Sequence, residues 1–134
     1  MRIFSTTFIL IVVLFLISCG DSIKSGLEKQ LMGTDSIKVY FFDQKSNSVE
    51  KVVTVNEKSG VDEIISSISD ESSEQFKCGY NGQMEFYKGG EIILSPQFNT
   101  GDGCEHYVFR FKDRMYHKVM TKKGRDILMA YLSN

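Results

Sequence analysis

The stretch that decides the fold is FKCGYNGQMEFYKGGEIILSPQF, residues 76–98. Two dipeptides, Asn81-Gly82 and Gly89-Gly90, divide it into three short runs rich in aromatic and β-branched residues. Both central positions of a type I′ hairpin turn need positive φ, which glycine and asparagine adopt at least cost. The reading is therefore three antiparallel strands: FKCGY, QMEFYK and EIILSPQF. Pro96 has no N–H to give to a ladder, so the later half of the third run is expected on an edge or at a bend.

The same punctuation continues on both sides. Downstream, NTGDG at 99–103 turns the chain into CEHYVFRF, and KDR at 112–114 turns it into MYHKVM. The expectation is a five-stranded meander. Upstream, IKVYFF alternates Ile37, Val39 and Phe41 with Lys38, Tyr40 and Phe42, a period-two strand pattern. DQKSNS then supplies turn chemistry and VEKVVTV a second strand, so residues 37–55 read as a hairpin.

Two segments carry helical spacing instead. SGVDEIISSIS places Val61, Ile64, Ile65 and Ile68 at i, i+3, i+4 and i+7, with Ser59 able to cap the first turn. After Thr121, a second potential cap, KKGRDILMAYL turns Gly124, Ile127, Leu128 and Tyr131 to one side. SDESSEQ at 69–75 reads as a polar loop. The order is then ββαβββββα, an α+β domain over 37–134 whose antiparallel sheet is covered on one face by two helices.

The first twenty residues follow different rules. Met1-Arg2 gives a short positive end, and Phe8 to Ile17 is an unbroken apolar run. A helix of that length would rise about 15 Å, half of a ~30 Å hydrocarbon layer, which suits a signal-peptide core better than a permanent span. It ends on Leu16-Ile17-Ser18-Cys19. These four residues resemble the lipobox of bacterial lipoproteins: an aliphatic residue, a tolerant position, a small residue and a cysteine. The resemblance covers residues 1–19 only. It implies that Cys19 receives a diacylglycerol on its thiol and that the leader, residues 1–18, is cut between Ser18 and Cys19. It also implies a cell-envelope address, anchored to a membrane through lipid, with inner and outer membrane both open. No cofactor is expected beyond the covalent lipid on Cys19. A conventionally secreted chain with a buried or disulfide-bonded Cys19 is the alternative. Residues 19–36 read as the lipidated cysteine and a tether, in which Leu27 and Leu31, four apart, allow a short helical turn.

Without its leader the chain has 116 of its 134 residues, enough for one domain. It is 12% aromatic and 25% charged with a single proline, a globular composition. Loss of Arg2 leaves 15 basic against 17 acidic residues, which argues against a nucleic-acid partner. Acids gather in 43–75 and bases in 106–126. They read either as solvated faces or as a basic end turned toward anionic headgroups or an acidic partner. Cys78 and Cys104 in an exported chain point to a disulfide. A metal site using these two with His106 is the alternative, although no C-x-x-C pair supports it.

No catalytic pattern stands out. No serine lies in G-x-S-x-G, and NTGDG has none of the spaced acids of a calcium loop. Strand alternation places Tyr107, Phe109 and Phe111 on a core face, and Tyr87 opposite Met84 and Phe86. An exposed face of Tyr87, His106, Arg110, Tyr116 and His117 would suit protein binding, where Tyr and Arg are enriched. The expected function is a non-enzymatic envelope lipoprotein that binds a protein or envelope component, an inhibitor or immunity role being one version. The alternatives are a small enzyme or ligand-binding module around His106 and His117, and a purely structural envelope protein.

Overall fold

The computed structural model describes residues 23–74 and 78–134. The readings on residues 1–22, Ser18 and Cys19 among them, lie outside the described residues. Chain order is α1 (Ile23–Leu31), β1 (Ser36–Phe42), β2 (Val49–Val55), α2 (Lys58–Ser66) and β3 (Ile68–Ser72). Then come β4 (Gly82–Lys88), β5 (Glu91–Leu94), β6 (Gln97–Asn99), β7 (His106–Phe111), β8 (Arg114–Met120) and α3 (Lys122–Ser133). The α+β class holds: eight strands form one open antiparallel sheet, in the order β2-β1-β4-β6-β7-β8-β3 with β5 on β4.

The glycine pair behaves as its chemistry requires. Gly89 and Gly90 have φ of 60° and 83°, and Lys88 pairs with Glu91 across the turn. Asn81-Gly82 does not make the second hairpin. Gly82 opens β4, pairs with both Phe41 and Phe98, and has no positive φ. Its glycine is needed for space: a Cβ built there would overlap the Phe98 ring. Cys78, Gly79 and Tyr80 consequently lie in no strand, and among the described residues the meander has one strand fewer than its punctuation suggests.

Pro96 does bend its strand. β5 and β6 run along the same edge of β4 as two pieces, with Ser95-Pro96 between them and the Pro96 carbonyl accepting from Met84 N at 2.8 Å. The lost strand is replaced from an unexpected place. Ile68–Ser72 pairs with β8 and closes the far edge of the sheet: Ile68, expected as the last inward residue of the helix, belongs to this strand, and the rest of it lies in the segment read as a polar loop. Only Ile68 of β3 is buried, so its side chains give no alternating signal.

Among the described residues three helices, not two, cover one face. The hairpin of β1 and β2 turns Ile37, Val39, Phe41 and Val55 inward. These meet Met84, Phe86, Phe98, Tyr107, Phe109 and Phe111 in a single apolar core. From α2 come Val61 and Ile64, and from α3 Gly124 and Leu128. The α3 cap is as expected, Thr121 accepting from Gly124 N at 3.1 Å. The α2 cap is Glu57, without a side-chain bond, in place of Ser59. The third helix is α1, within the segment read as a tether. Leu27 and Leu31 are buried in the same core, and Gln30 Nε2 donates to Ile93 O at 2.7 Å. The helical turn that Leu27 and Leu31 allow is thus formed, and residues 23–31 are built into the core and are not part of a tether.

Candidate functional site

Among the described residues every helix lies on one side of the sheet, and the other side carries no helix. Register places Val52, Tyr40, Gln83, Gln97, Val108 and His117 in one row across six strands, Val108 being buried within it. The next row holds Thr54, Lys38 and Glu85 on one side and Arg110 with Met115 on the other. At ~4.8 Å per strand this surface is about 24 Å wide.

Its most ordered part is a cluster on β1 and β4. Glu85 Oε2 accepts from Tyr40 Oη at 2.7 Å and from Tyr87 Oη at 2.6 Å. Lys38, directly opposite Glu85, holds its ammonium 5.2 Å from the Tyr87 ring centroid. These groups reinforce each other. The two tyrosyl donors, Tyr87 first, hold the Glu85 carboxyl below its usual range, with the Lys38 charge adding to them. In return the carboxylate pushes Tyr87 up to about 12 and raises Tyr40. The carboxylate is held ionised and in a fixed position by neighbours on the same face.

The residues expected to form a binding face are only partly brought together. Tyr87, His106, Arg110 and His117 do share the open face. Tyr116 does not: it sits opposite Phe109 on the helix-covered side, 6.0 Å from that ring and 6.2 Å from Phe111. MYHKVM carries apolar residues at both parities, so alternation could not choose. What hid the answer is Lys118, which points inward and is buried, its ammonium donating to Asp70 O at 2.6 Å.

His106 shares the face without being accessible. It is 2% exposed, its Nδ1 lies 2.6 Å from Cys104 O, and the Tyr80 ring packs at 5.9 Å. Cys78 and Cys104 form a disulfide, their Cα atoms 6.3 Å apart, which fastens this loop at the edge of the face. Asn99 Nδ2 adds bonds to Gly79 O at 3.0 Å and Cys78 O at 3.3 Å. His117 is half-buried one strand away, and Arg110 is exposed. Among the described residues no group of three His, Cys, Asp or Glu side chains is placed to hold a metal. Tyr40 and Glu85 escaped the sequence reading. Glu85 shares parity with Tyr87, but the neighbour strand that brings Tyr40 is known only from the strand order.

No family model, curated protein or solved structure matches the chain. A cleft of about 470 Å3 opens between α1 and α2, lined by Leu31, Met32, Val61 and Ile65 with Glu28 and Asp62. Another of about 430 Å3 lies beside Arg125 and Val119. Neither histidine lines either cleft. The basic run does not form one surface: Lys118 is buried, Lys123 pairs with Glu63 at 3.0 Å, and Arg125 pairs with Asp102 and Glu105.

Proposed function

We propose that this chain is a lipid-anchored lipoprotein of the cell envelope whose α+β domain is non-enzymatic and binds a protein partner. The uncovered sheet face, with its Tyr40–Glu85–Tyr87 cluster, is the observation that carries the binding role. Protein partners use tyrosine and arginine well, because both give large contact areas with a polar end. Fixing Tyr40 and Tyr87 before contact lowers the side-chain ordering cost of binding, roughly 0.5–1.5 kcal/mol for each such side chain. One Glu85 oxygen takes both tyrosyl bonds, which leaves the other to accept from a partner's amide, lysine or arginine. A shallow face about 24 Å wide suits a folded partner better than a small molecule, which prefers an enclosed pocket. An inhibitor or immunity role is one form of this reading. The anchor rests on Leu16-Ile17-Ser18-Cys19.

The two halves are tested separately. For the anchor, the mass of the mature amino-terminal peptide should show Cys19 first in the chain and carrying acyl groups. An unmodified Cys19, or a retained leader, ends that half. For the face, a photoreactive residue at Gln83 or Gln97 in the full chain should cross-link one recurring envelope protein. The same residue at Met129, on an exposed part of α3, should not. Equal labelling from both sides ends the binding half.

A further inference from the structure

The length of chain that precedes α1 limits where the domain can sit. α1 begins at Ile23, which packs against the core that holds Leu27 and Leu31. Its amino end is fastened as well, Lys24 N donating to Asp70 at 3.1 Å and Gly26 standing beside the Phe111 ring. Only Gly20, Asp21 and Ser22 separate Ile23 from Cys19. Fully extended, those four steps span at most about 14 Å. The seven residues of β1 are longer, at about 23 Å. A chain acylated at Cys19 therefore carries this domain against its bilayer, with no long leash on which to swing clear.

α1 crosses one end of the sheet. The strand order puts the Lys88–Glu91 turn, the start of β1 and the Lys112-Asp113 turn at that same end. α1 meets them along its length: Gly26 at Phe111, Gln30 donating to Ile93 O at 2.7 Å, and Met32 O accepting from Lys88 Nζ at 2.8 Å. Three exposed apolar side chains ring this end, Met32 at 70%, Ile92 at 51% and Met115 at 53% exposed. Lys29, Lys88, Lys112 and Arg114 stand exposed among them, balanced by Glu28, Glu91 and Asp113. Apolar side chains flanked by lysine and arginine, whose stems bury while their heads stay in water, suit a membrane interface. The β3 edge, equally near the anchor, presents Asp70 and Glu71 instead, which anionic headgroups repel.

We propose that this end of the sheet is a membrane-contacting surface, seated in the headgroup layer of the bilayer that holds the Cys19 lipid. The inference rests on the acylation of Cys19 proposed above. Met32, Ile92 and Met115 enter the interface, the basic side chains meet lipid phosphates, and the strands rise from the bilayer. The turn at Lys45 between β1 and β2, and the loop at Asp102 before β7, lie at the opposite end. Seated in this way, the part of the open face around Gln83 and Gln97 stands clear of the headgroups.

The test uses the full chain, matured and acylated in cells and reconstituted in vesicles of phosphatidylethanolamine and phosphatidylglycerol. The variants Met32→Cys, Ile92→Cys, Glu71→Cys, Lys45→Cys and Asp102→Cys each carry a fluorophore, and a nitroxide on a lipid headgroup quenches it. M32C and I92C should be quenched at least threefold more than K45C and D102C, and I92C should also exceed E71C. Equal quenching at the two ends, or E71C at or above I92C, overturns the proposal. The mass of the amino-terminal peptide from the same vesicles keeps the two readings apart. An acylated Cys19 with equal quenching refutes the orientation alone, whereas an unacylated Cys19 removes the anchor and this proposal with it.

Discussion

Replacing Gly82 by alanine separates two explanations of why a glycine stands there. In the structure Gly82 is buried in β4, and the position of the absent Cβ is filled by the Phe98 ring. Phe98 is fully buried and meets Phe41 edge-on at 5.8 Å, so it has little room to retreat. Forcing an extra methyl into a packed core costs about 1–3 kcal/mol. Alanine recovers roughly 0.5–1 kcal/mol by restricting the unfolded chain. The net destabilisation of Gly82→Ala is then about 1–2 kcal/mol, read as a fall in the urea midpoint at unchanged slope. The deciding measurement is a double-mutant cycle with Phe98→Leu, which removes the ring atoms that the methyl meets. Phe98→Leu alone should destabilise, within the common range of about 0.5–3 kcal/mol. The two together should cost at least 1 kcal/mol less than the separate changes, far outside the ~0.5 kcal/mol scatter of independent sites. Were Gly82 held instead in a left-handed turn, the alanine penalty would come from φ and trimming Phe98 would leave it intact. An additive cycle refutes the packing argument.

Three further outcomes follow from other parts of the molecule. Glu85→Gln removes the charge that raises Tyr87, so the ionisation of Tyr87, followed by its absorbance on alkaline titration, should fall from about 12 toward the ordinary 10.0. The sign for stability is fixed by both partners. The raised tyrosines favour the fold fully below pH 10 and lose that contribution as pH climbs through their folded values. The lowered Glu85 favours it above its ordinary 4.5 and loses that as pH falls through its own folded value. Serine at both Cys78 and Cys104 opens a loop of 26 residues' separation, and chain entropy puts the loss near 3.5 kcal/mol. Faster hydrogen exchange should appear around Gly101–His106, and unchanged exchange there would contradict the fastening role. Lys118→Met should cost about 1–3 kcal/mol, because Asp70 O loses its donor, with the amides of β3 opening first. Global destabilisation without preferential exchange in β3 would count against it.

Much of the architecture was legible where local chemistry and tertiary structure agree. The β1–β2 hairpin, the Gly89-Gly90 turn, the bend at Pro96 and the Thr121 cap all follow from backbone preferences of a few residues. The failures share one cause: a signal with two physical origins. Gly82 was read for its φ when it was needed for its size. α1 was masked by flanking glycines, although Leu27 and Leu31 already had core spacing. β3 was masked because an edge strand facing water keeps polar side chains. At the candidate site, parity along one strand placed Tyr87 and Arg110 correctly. It failed at Tyr116, where an inward lysine made both parities look alike, and it could not supply Tyr40, which reaches Glu85 only through the pairing of β1 with β4.

The placement of β3 sets the timetable of assembly. Its only strand partner, β8, lies some forty residues further along the chain, while β1 waits for β4 across a similar gap. These two closures interleave, so neither half of the polypeptide is a self-sufficient foldable piece. Such remote pairings bring in loop-closure entropy early and make a sheet slow to form. A nascent chain stopping short of Arg114 would leave Ile68 unsealed and the β7 margin bare. Translation must therefore pass Met120 before the structure can lock, which keeps the polypeptide threadable until then.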